Sequence, residues 1–252
     1  MSRVRGVLLG AAGAAALQWV PSVVSLGQWL PLRQLPSGWC AWRGRPDGPV
    51  ALTFDDGPDP ATTPAVLDAL DRLGLVATFF CTGAHARRHP DLVREARRRG
   101  HAVGVHGYRH EHHLWRGPRW IARDLDDALQ AVRAAGVEPR FYRPPYGQAS
   151  GPTLLAAHRR GLRTVLWSAW GREWAAPDAA AVAARVRQAL APGAVVLLHD
   201  SDAFSPRGSA GRTLEALDAI AEDLAERGLH AATLDEVLGP PVSAAKREVS
   251  VG

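Results

Sequence analysis

Short runs rich in β-branched and aromatic residues alternate with helical patterns along most of this chain, and this alternation constrains the fold more than any other feature. The predicted strands are residues 50–54, 76–80, 102–106, 140–144, 163–168, 194–199 and 230–234. The predicted helices are residues 61–73, 90–99, 119–135, 151–160, 178–190 and 211–227. Strands that alternate with helices indicate a parallel sheet with crossover helices. Seven strands suggest an α/β barrel related to the eight-stranded (β/α) barrel, with an open doubly wound sheet as the alternative.

The composition fits one globular domain and argues against a nucleic-acid partner. A length of 252 residues suits a single α/β barrel. The net charge of +5 would favour an anionic partner, but it comes almost wholly from arginine, with Lys246 the only lysine. No Lys/Arg stripe is interleaved with aromatic residues, so we expect no nucleic acid. Cys40 and Cys81 predict neither a disulfide framework nor a zinc cluster, although a bridge between them stays open.

The N-terminal segment, residues 1–34, is moderately hydrophobic. Arg3 and Arg5 precede an uncharged stretch over residues 6–32. This stretch suits an uncleaved membrane anchor, a cleaved secretory signal or a helix packed on the domain. In the first two cases the early arginines place the domain outside the cytoplasm, so we expect an extracytoplasmic protein, anchored or secreted. At the other end, residues 239–252 form a predicted polar tail.

Polar side chains that can carry chemistry stand where predicted strands end. They are Asp55, Asp56, His106, Arg143 and His199. The carboxyl ends of parallel strands point to one face of a barrel or open sheet, and active sites form on that face. We therefore expect these separated segments to meet at one site.

Asp55 and Asp56 leave a buried strand as adjacent carboxylates in the motif DDGP. Two such charges are costly unless something positive neutralises them. Adjacent side chains along a strand face different ways, so one carboxylate could bind a metal while the other acts as a base. A plain Asp-Gly-Pro turn with capping carboxylates is the alternative.

His106 and His110 are spaced by four residues in the motif HGYRH. This spacing predicts two imidazoles on one side of a helical turn, a common chelating arrangement. Two histidines and one carboxylate, with open positions for water, suit catalytic zinc or a similar divalent ion. The neighbouring His101, His112 and His113 are expected to be non-ligands. The alternative is that all histidines of this region are ordinary surface residues that bind no metal.

Three further motifs follow. In RPPYG, residues 143–147, the double proline stiffens the loop that aims Arg143, and a guanidinium beside Asp55 would keep that carboxylate ionised. In WSAWGREW, residues 167–174, three tryptophans could form a sugar-stacking wall or simply pack as core and rim. In LLHD, His199 leaves the last long apolar run and is a candidate general acid.

Taken in order, TFDDGP, HxxxH, RPPYG, the Trp/acid segment and LLHD resemble the polysaccharide deacetylases of carbohydrate esterase family four. The resemblance covers about residues 48–238, which we take as the catalytic domain. It implies an irregular (β/α) barrel and hydrolysis of N-acetyl groups on amino sugars in a polysaccharide, peptidoglycan or another glycan. The expected products are acetate and a free amino sugar.

The resemblance also implies roles for individual residues. A divalent metal, usually zinc with cobalt or manganese as alternatives, would have the ligands Asp56, His106 and His110. Asp55 would be the general base for the attacking water, tuned by Arg143.

On the substrate side, His199 would protonate the leaving amine. The backbone N–H of Tyr146 would help to stabilise the oxyanion, and Trp174 and Leu197 would line the pocket for the acetyl methyl group.

This sequence departs from the family pattern at three positions. Gly107 replaces a Ser or Thr that supports the metal motif, Trp170 stands where an acidic residue is common, and Glu173 replaces the Asp that usually orients the catalytic histidine. Glu is one methylene longer, which leaves its link to His199 open. Two alternatives therefore remain: a non-catalytic glycan-binding relative, and a hydrolase of the same fold acting on a lipid-linked sugar or another C–N bond.

Overall fold

The computed structural model describes residues 39–239, and their centre is one sheet of eight parallel strands in the order β1-β6-β5-β4-β3-β2-β8-β7. The strands are β1 Cys40–Ala41, β2 Ala51–Asp55, β3 Thr78–Cys81, β4 Ala102–Val105, β5 Phe141–Tyr142, β6 Arg163–Val165, β7 Ala169–Trp170 and β8 Val195–His199. From β2 to β6 each new strand is added on the same side of the last. That single direction of winding is typical of a barrel, whereas a doubly wound sheet reverses.

Within the described residues, six helices lie between strands, and two follow the last strand, β8. They are α1 Thr63–Leu73, α2 Gly83–Arg88, α3 Pro90–Arg98, α4 Pro118–Ala134, α5 Gly151–Arg159, α6 Ala179–Ala189, α7 Ser209–Glu226 and α8 Leu234–Leu238. The longest ones show why the sequence pattern is helical. In α4, Ile121, Leu125, Leu129 and Val132 recur at spacings of three or four residues, and all are buried. Single 3-10 turns occur at His113–Trp115, Pro145–Gly147 and Glu173–Ala175.

Successive side chains of the strands face two different apolar clusters. Leu52 and Phe54 of β2 belong to the larger cluster, which also holds the buried faces of the helices. Ala51 and Phe80 belong to a smaller cluster together with Leu234 and Val237 of α8. Because the N–H of Leu234 donates to the hydroxyl of Thr78, the first residue of β3, α8 covers the amino end of the strands. The carboxyl end of the strands is therefore the end available for a site.

The prediction of an irregular α/β barrel is confirmed in class, with eight strands in a curled half-barrel instead of seven. The predicted strand 230–234 is wrong: Ala231 makes an isolated parallel bridge to Val50, and α8 begins at Leu234. Two strands were not predicted, β1 and β7, because two residues carry no readable alternation. An isolated antiparallel bridge between Arg43 and Ala194 brings the end of β1 to the start of β8.

Cys40 and Cys81 are not bridged, and Cys81 is buried. The predicted N-terminal segment 1–34, with its hydrophobic stretch 6–32, lies outside the described residues, and so does all of the predicted tail except Gly239. Between residues 39 and 239, no helix has both the length and the apolar character needed to cross a bilayer.

Candidate active site

A cavity of about 290 Å³ opens at the carboxyl end of the strands. The predicted site residues that line it are Asp55, Asp56, His106, His110, Tyr146, Trp174, Leu197 and His199. The remaining two, Arg143 and Glu173, are fully buried directly behind Asp55 and His199. The structure therefore brings every predicted site residue to one place. The sheet register explains part of this, because Asp55 at the end of β2 stands opposite His199 at the end of β8.

The two adjacent aspartates turn in different directions. Asp55 is the last residue of β2, and its Oδ1 accepts a hydrogen bond of 2.7 Å from Nη1 of Arg143. Asp56 has a positive φ of 82°, which takes its side chain away from the strand alternation. Its Oδ1 lies 3.2 Å from Nε2 of His110 and 3.5 Å from Nε2 of His106. Asp55 thus faces a guanidinium while Asp56 faces two imidazoles.

The segment HGYRH is a loop, so the predicted helical turn is wrong. Gly107 and His110 both have positive φ, 73° and 53°. The ring of His106 is oriented by a 2.8 Å hydrogen bond between its Nδ1 and the carbonyl of Arg143. Since Nδ1 is used in this way, Nε2 points to Asp56.

The buried Asp124 of α4 supports this loop from below. Its carboxylate accepts hydrogen bonds from the backbone N–H groups of Tyr108 and Arg109, at 2.9 and 3.2 Å. A Cβ built on Gly107 would lie 2.9 Å from Oδ2 of Asp124, and the positive φ of Gly107 also disfavours a side chain. The departure from Ser or Thr at Gly107 therefore has a local reason. Sequence reasoning missed Asp124, although its position three residues after Ile121 and four before Ala128 places this carboxylate on the apolar face of α4.

Asp56, His106 and His110 fit a divalent cation. All three are buried, and one ligand atom from each lies within 4.8 Å of the others. Oδ1 of Asp56 is buried without a hydrogen-bond partner, so this carboxylate oxygen still needs a positive neighbour. Two imidazole nitrogens and one carboxylate oxygen are a donor set that zinc and similar ions accept.

The protonation states of these groups also suit a metal. Burial opposes ionisation of Asp56, but the neighbouring imidazoles of His110, His199 and His106 outweigh it and lower the pKa of Asp56 to about 2. Burial lowers the pKa of His106 to about 4. Metal ligands must be a carboxylate and a neutral imidazole, and these are the forms present near neutral pH.

Arg143 is fixed by contacts on all of its nitrogens. Nη1 donates to both Asp55 and the hydroxyl of Thr53, Nε donates to the carbonyl of Val165, and Nη2 donates to that of Leu166. The guanidinium carbon lies 4.2 Å from the ring centroid of Phe80. A buried charge held by this many partners compensates the charge of Asp55 in a fixed geometry.

His199 and Glu173 form a second charged pair. Nδ1 of His199 lies 3.0 Å from Oε1 of Glu173, so the longer side chain does reach the histidine. Burial alone would favour the neutral ring, but Glu173, with Asp56 and Asp55, raises the pKa of His199 to about 10. Thr213 of α7 also donates to Oε1, whereas Oε2 is buried without a hydrogen-bond partner. The pair keeps a protonated imidazole at the cavity.

Aromatic side chains form the rim. Trp170 lies between Trp167 and Trp174, with ring centroids 5.3 and 6.1 Å away. Phe204, which sequence reasoning missed, stacks on His110 at 4.0 Å. Its position in the loop after LLHD gives no periodic signal.

The loop after Asp56 is held by Asp200, the last residue of the motif LLHD, to which the sequence assigned no role. Its Oδ1 accepts the N–H of Gly57 at 3.1 Å, and its Oδ2 accepts the hydroxyl of Thr63 at 2.5 Å. Asp200 thus ties the end of β8 to the residues that follow β2.

The amino-acid sequence is similar to those of known deacetylases. Residues 43–165 match the family model of polysaccharide deacetylases. A peptidoglycan-N-acetylglucosamine deacetylase of Bacillus cereus is 33% identical over 207 residues, which cover 81% of this chain and 94% of the relative. A chitooligosaccharide deacetylase of Sinorhizobium fredii is 37% identical over 186 residues, which cover 71% of this chain and 86% of the relative.

Solved structures show the same similarity. A peptidoglycan N-acetylglucosamine deacetylase in complex with a substituted N-oxidanyl-benzamide superimposes with a TM-score of 0.78 at 29% identity, covering 84% of this chain and 98% of the other. A family 4 carbohydrate esterase from Streptomyces lividans in complex with acetate gives a TM-score of 0.69 at 33% identity, covering 79% of this chain and 98% of the other.

Proposed function

Because the chain belongs to the polysaccharide deacetylase family, we propose that it is a metal-dependent hydrolase that removes N-acetyl groups from amino sugars of the N-acetylglucosamine type. The substrate would be peptidoglycan, a chitooligosaccharide or a related glycan, the classes on which the named relatives act. The observation that carries the proposal is the meeting of Asp56, His106 and His110 in the same cavity as Asp55 and His199.

Asp56, His106 and His110 would hold the cation, with zinc as the first choice and cobalt or manganese as alternatives. A divalent ion in such a site lowers the pKa of water and polarises a carbonyl. In the proposed reaction, Asp55 takes a proton from the water that attacks the acetyl carbonyl carbon. Arg143 holds that carboxylate in place, because its Nη1 donates to Oδ1, while Oδ2 lies 3.7 Å from Nε2 of His106.

His199 supplies the other proton. When the C–N bond breaks, its Nε2 protonates the leaving amine. The oxygen of water ends in acetate, and the sugar keeps a free amino group. Glu173 supports this role by holding Nδ1 and favouring the protonated ring.

Two further contacts would position the acetyl group. Tyr146 has a left-handed backbone, with φ of 59°, and its N–H would be a donor for the oxyanion. Leu197, buried on β8, and Trp174, at the rim, would line the space for the methyl group.

We further propose that residues 48–238 act as the catalytic domain and that the protein works outside the cytoplasm. Peptidoglycan lies on that side of the membrane. The stretch 6–32 would anchor the protein or direct its secretion.

The test is acetate release from chitooligosaccharides, peptidoglycan fragments and a lipid-linked acetylated sugar, with and without a chelator. We expect release from at least one of the first two substrates, loss of release after chelation, and recovery when zinc is restored. Acetate release only from the lipid-linked sugar would show that the substrate is a lipid-linked sugar and not a free glycan. Metal-loaded protein that releases no acetate from any amino sugar, yet binds glycans, would contradict the proposal in favour of a non-catalytic relative.

A further inference from the structure

The two histidines of the proposed metal site are oriented in different ways. Nδ1 of His106 is hydrogen-bonded to the carbonyl of Arg143, whereas Nδ1 of His110 is buried without a hydrogen-bond partner among the described residues. A histidine that binds a metal through one ring nitrogen is usually oriented by a hydrogen bond at the other. The χ2 torsion of histidine is broad, so the backbone alone does not fix the plane of the ring. Another contact must therefore orient the imidazole of His110.

Phe204 makes a contact of the required kind. Its ring centroid lies 4.0 Å from that of His110, with 16° between the two planes. Tyr146 also approaches His110, at 4.6 Å, but its ring is tilted by 56°. A near-parallel neighbour at this distance opposes rotation of the imidazole about χ2, because rotation drives the edge of one ring into the face of the other. Of the two neighbours, Phe204 is the one suited to fix the plane of the His110 ring.

A further ring stacks on Phe204, that of His85 in α2. The two ring centroids are 5.7 Å apart, with 14° between the planes. Nδ1 of His85 donates to the backbone carbonyl of Asp56 at 3.0 Å. Asp56 has an uncommon positive φ of 82°, so this hydrogen bond helps to hold a strained backbone. The contacts from His85 through Phe204 to His110 therefore connect the backbone of one expected metal ligand with the ring of another.

The segment that carries Phe204, residues 201–208, is itself held in place. The carboxylate of Asp202 accepts the backbone N–H groups of Gly208 and Ala210, at 2.6 and 2.7 Å. These two hydrogen bonds tie the segment to the first turn of α7. Phe204 therefore reaches the metal site from a segment whose backbone freedom is already reduced, so that little further entropy is lost when its ring packs on His110.

We propose that Phe204 is a positioning residue for the metal ligand His110 and that His85 braces it, so that these two residues form an aromatic clamp. The inference rests on the proposed function, because it takes His110 as a ligand. It adds that retention of the metal depends on the segment 201–208, which supplies none of the three ligands. Without the clamp, the ring of His110 is free to turn away from the position in which it binds the ion.

The test measures zinc binding on the full chain and needs no turnover. Competition with a chromogenic chelator gives the Kd for zinc, and release into excess chelator gives the dissociation rate. We expect Phe204→Ala to raise the Kd about tenfold or more, with faster release. Phe204→Tyr, which keeps the flat ring, should bind zinc like the wild type. Phe204→Leu keeps an apolar side chain without a ring and should recover little of the loss. His85→Ala should raise the Kd a few-fold.

Trp39→Ala is the matched control. The indole of Trp39 stacks on His158 at 4.2 Å with 9° between the planes, and neither residue lines the catalytic cavity. This variant therefore also removes an aromatic ring from a histidine, but away from the site, and its Kd for zinc should equal that of the wild type. The melting temperature of each zinc-free variant shows that it is folded.

An unchanged Kd and release rate in folded Phe204→Ala would overturn the clamp while leaving the deacetylase intact. Wild-type affinity in Phe204→Leu would also overturn it, since any apolar side chain would then be sufficient. An equal loss in Trp39→Ala would do the same, because the effect would not be local. Unchanged binding in His85→Ala would remove His85 from the clamp. If the wild-type protein bound no zinc, cobalt or manganese, the metal dependence in the proposed function would fall and the clamp with it.

Discussion

The two sides of the catalytic cavity are held in different ways. On the metal side, His106 is oriented by the carbonyl of Arg143, and the loop to His110 is tied to Asp124 through two backbone N–H groups. On the acid side, His199 is oriented by one carboxylate, that of Glu173, and this residue comes from a short 3-10 turn. The metal side thus has several supports and the acid side has one.

This difference indicates how each side should respond to substitution. Loss of one support on the metal side leaves the others in place, so the effect should be graded and should appear in metal affinity. Loss of Glu173 removes the hydrogen bond and the charge that favour protonated His199 together, so the effect should appear in catalysis. The substitutions below separate these two responses, after a first one at the proposed general base.

Asp55→Asn should have the largest effect. The amide cannot accept the proton of the attacking water, so kcat should fall by about 10²–10⁴. Zinc content should remain that of the wild type, because the expected ligands are Asp56, His106 and His110. Acetate release and metal analysis on the same sample check this. Loss of zinc together with activity would show that Asp55 is a ligand and that the division between the two aspartates is incorrect.

Glu173→Gln should lower kcat about 10- to 100-fold at saturating zinc. It keeps the size of the side chain and removes its charge, so the pKa of His199 should fall from its raised value of about 10. Because a general acid acts in its protonated form, the basic limb of the pH–kcat profile should move to lower pH. Zinc affinity should stay unchanged. Glu173→Asp, which keeps the charge, is the control. A pH–kcat profile that does not move would show that Glu173 does not control the protonation of His199.

Asp124→Ala should act on the opposite side. Two backbone N–H groups lose their acceptor, so zinc affinity should fall about tenfold or more, the usual effect of losing a supporting contact behind a ligand. At saturating zinc, kcat should recover most of its value. Competition with a chromogenic zinc chelator measures the affinity. Asp124→Asn, which keeps one acceptor, should be intermediate. Equal losses in both variants, or a fall in kcat that zinc does not rescue, would remove the distinction between the two sides.

Thr213→Val should have the smallest effect. It removes the hydroxyl that donates to Oε1 of Glu173 but keeps the volume. One lost hydrogen bond costs about 1 kcal/mol, which corresponds to about 2–4 °C in Tm for a domain of this size. The kcat should fall only a few-fold, because Glu173 keeps its contact with His199. A calorimetric scan and a kcat measurement check this, and a loss as large as that of Glu173→Gln would mean that Thr213 alone positions the carboxylate.

The sequence predicted the elements that have a strong local period. Residues of β2, β3, β4 and β8 were predicted as strands, and the long amphipathic helices were placed to within about two residues. It failed where pairing is decided by distant residues. The run 230–234 reads HAATL, and only Ala231 finds a partner, because α8 begins at Leu234 and covers the amino end of the sheet. The strands β1 and β7 have two residues each and owe their existence to neighbours in the sheet.

The site shows the same division. Asp55, Asp56, His106 and His199 follow strands, and strand direction alone indicated that they would meet. The spacing of His110 was recognised, yet its helical turn was wrong, since Gly107 and His110 adopt left-handed backbone conformations that bring the second ring to Asp56. Asp200 was noted at the end of a strand without a role, and Phe204 was missed, because each acts on a residue far away in the sequence. Asp124 was missed although it lies on the apolar face of α4, because its partners Tyr108 and Arg109 belong to another segment.

The sequence by itself determined the order of strands and helices and the residue types at the strand ends, because hydrophobic period and strand direction are local properties. Only the tertiary structure decided that Glu173 reaches His199 and that Asp124 supports the loop between His106 and His110. These are distances between residues far apart in the chain. They depend on how the sheet curls and how the connecting loops pack, which the side-chain pattern of one segment does not contain.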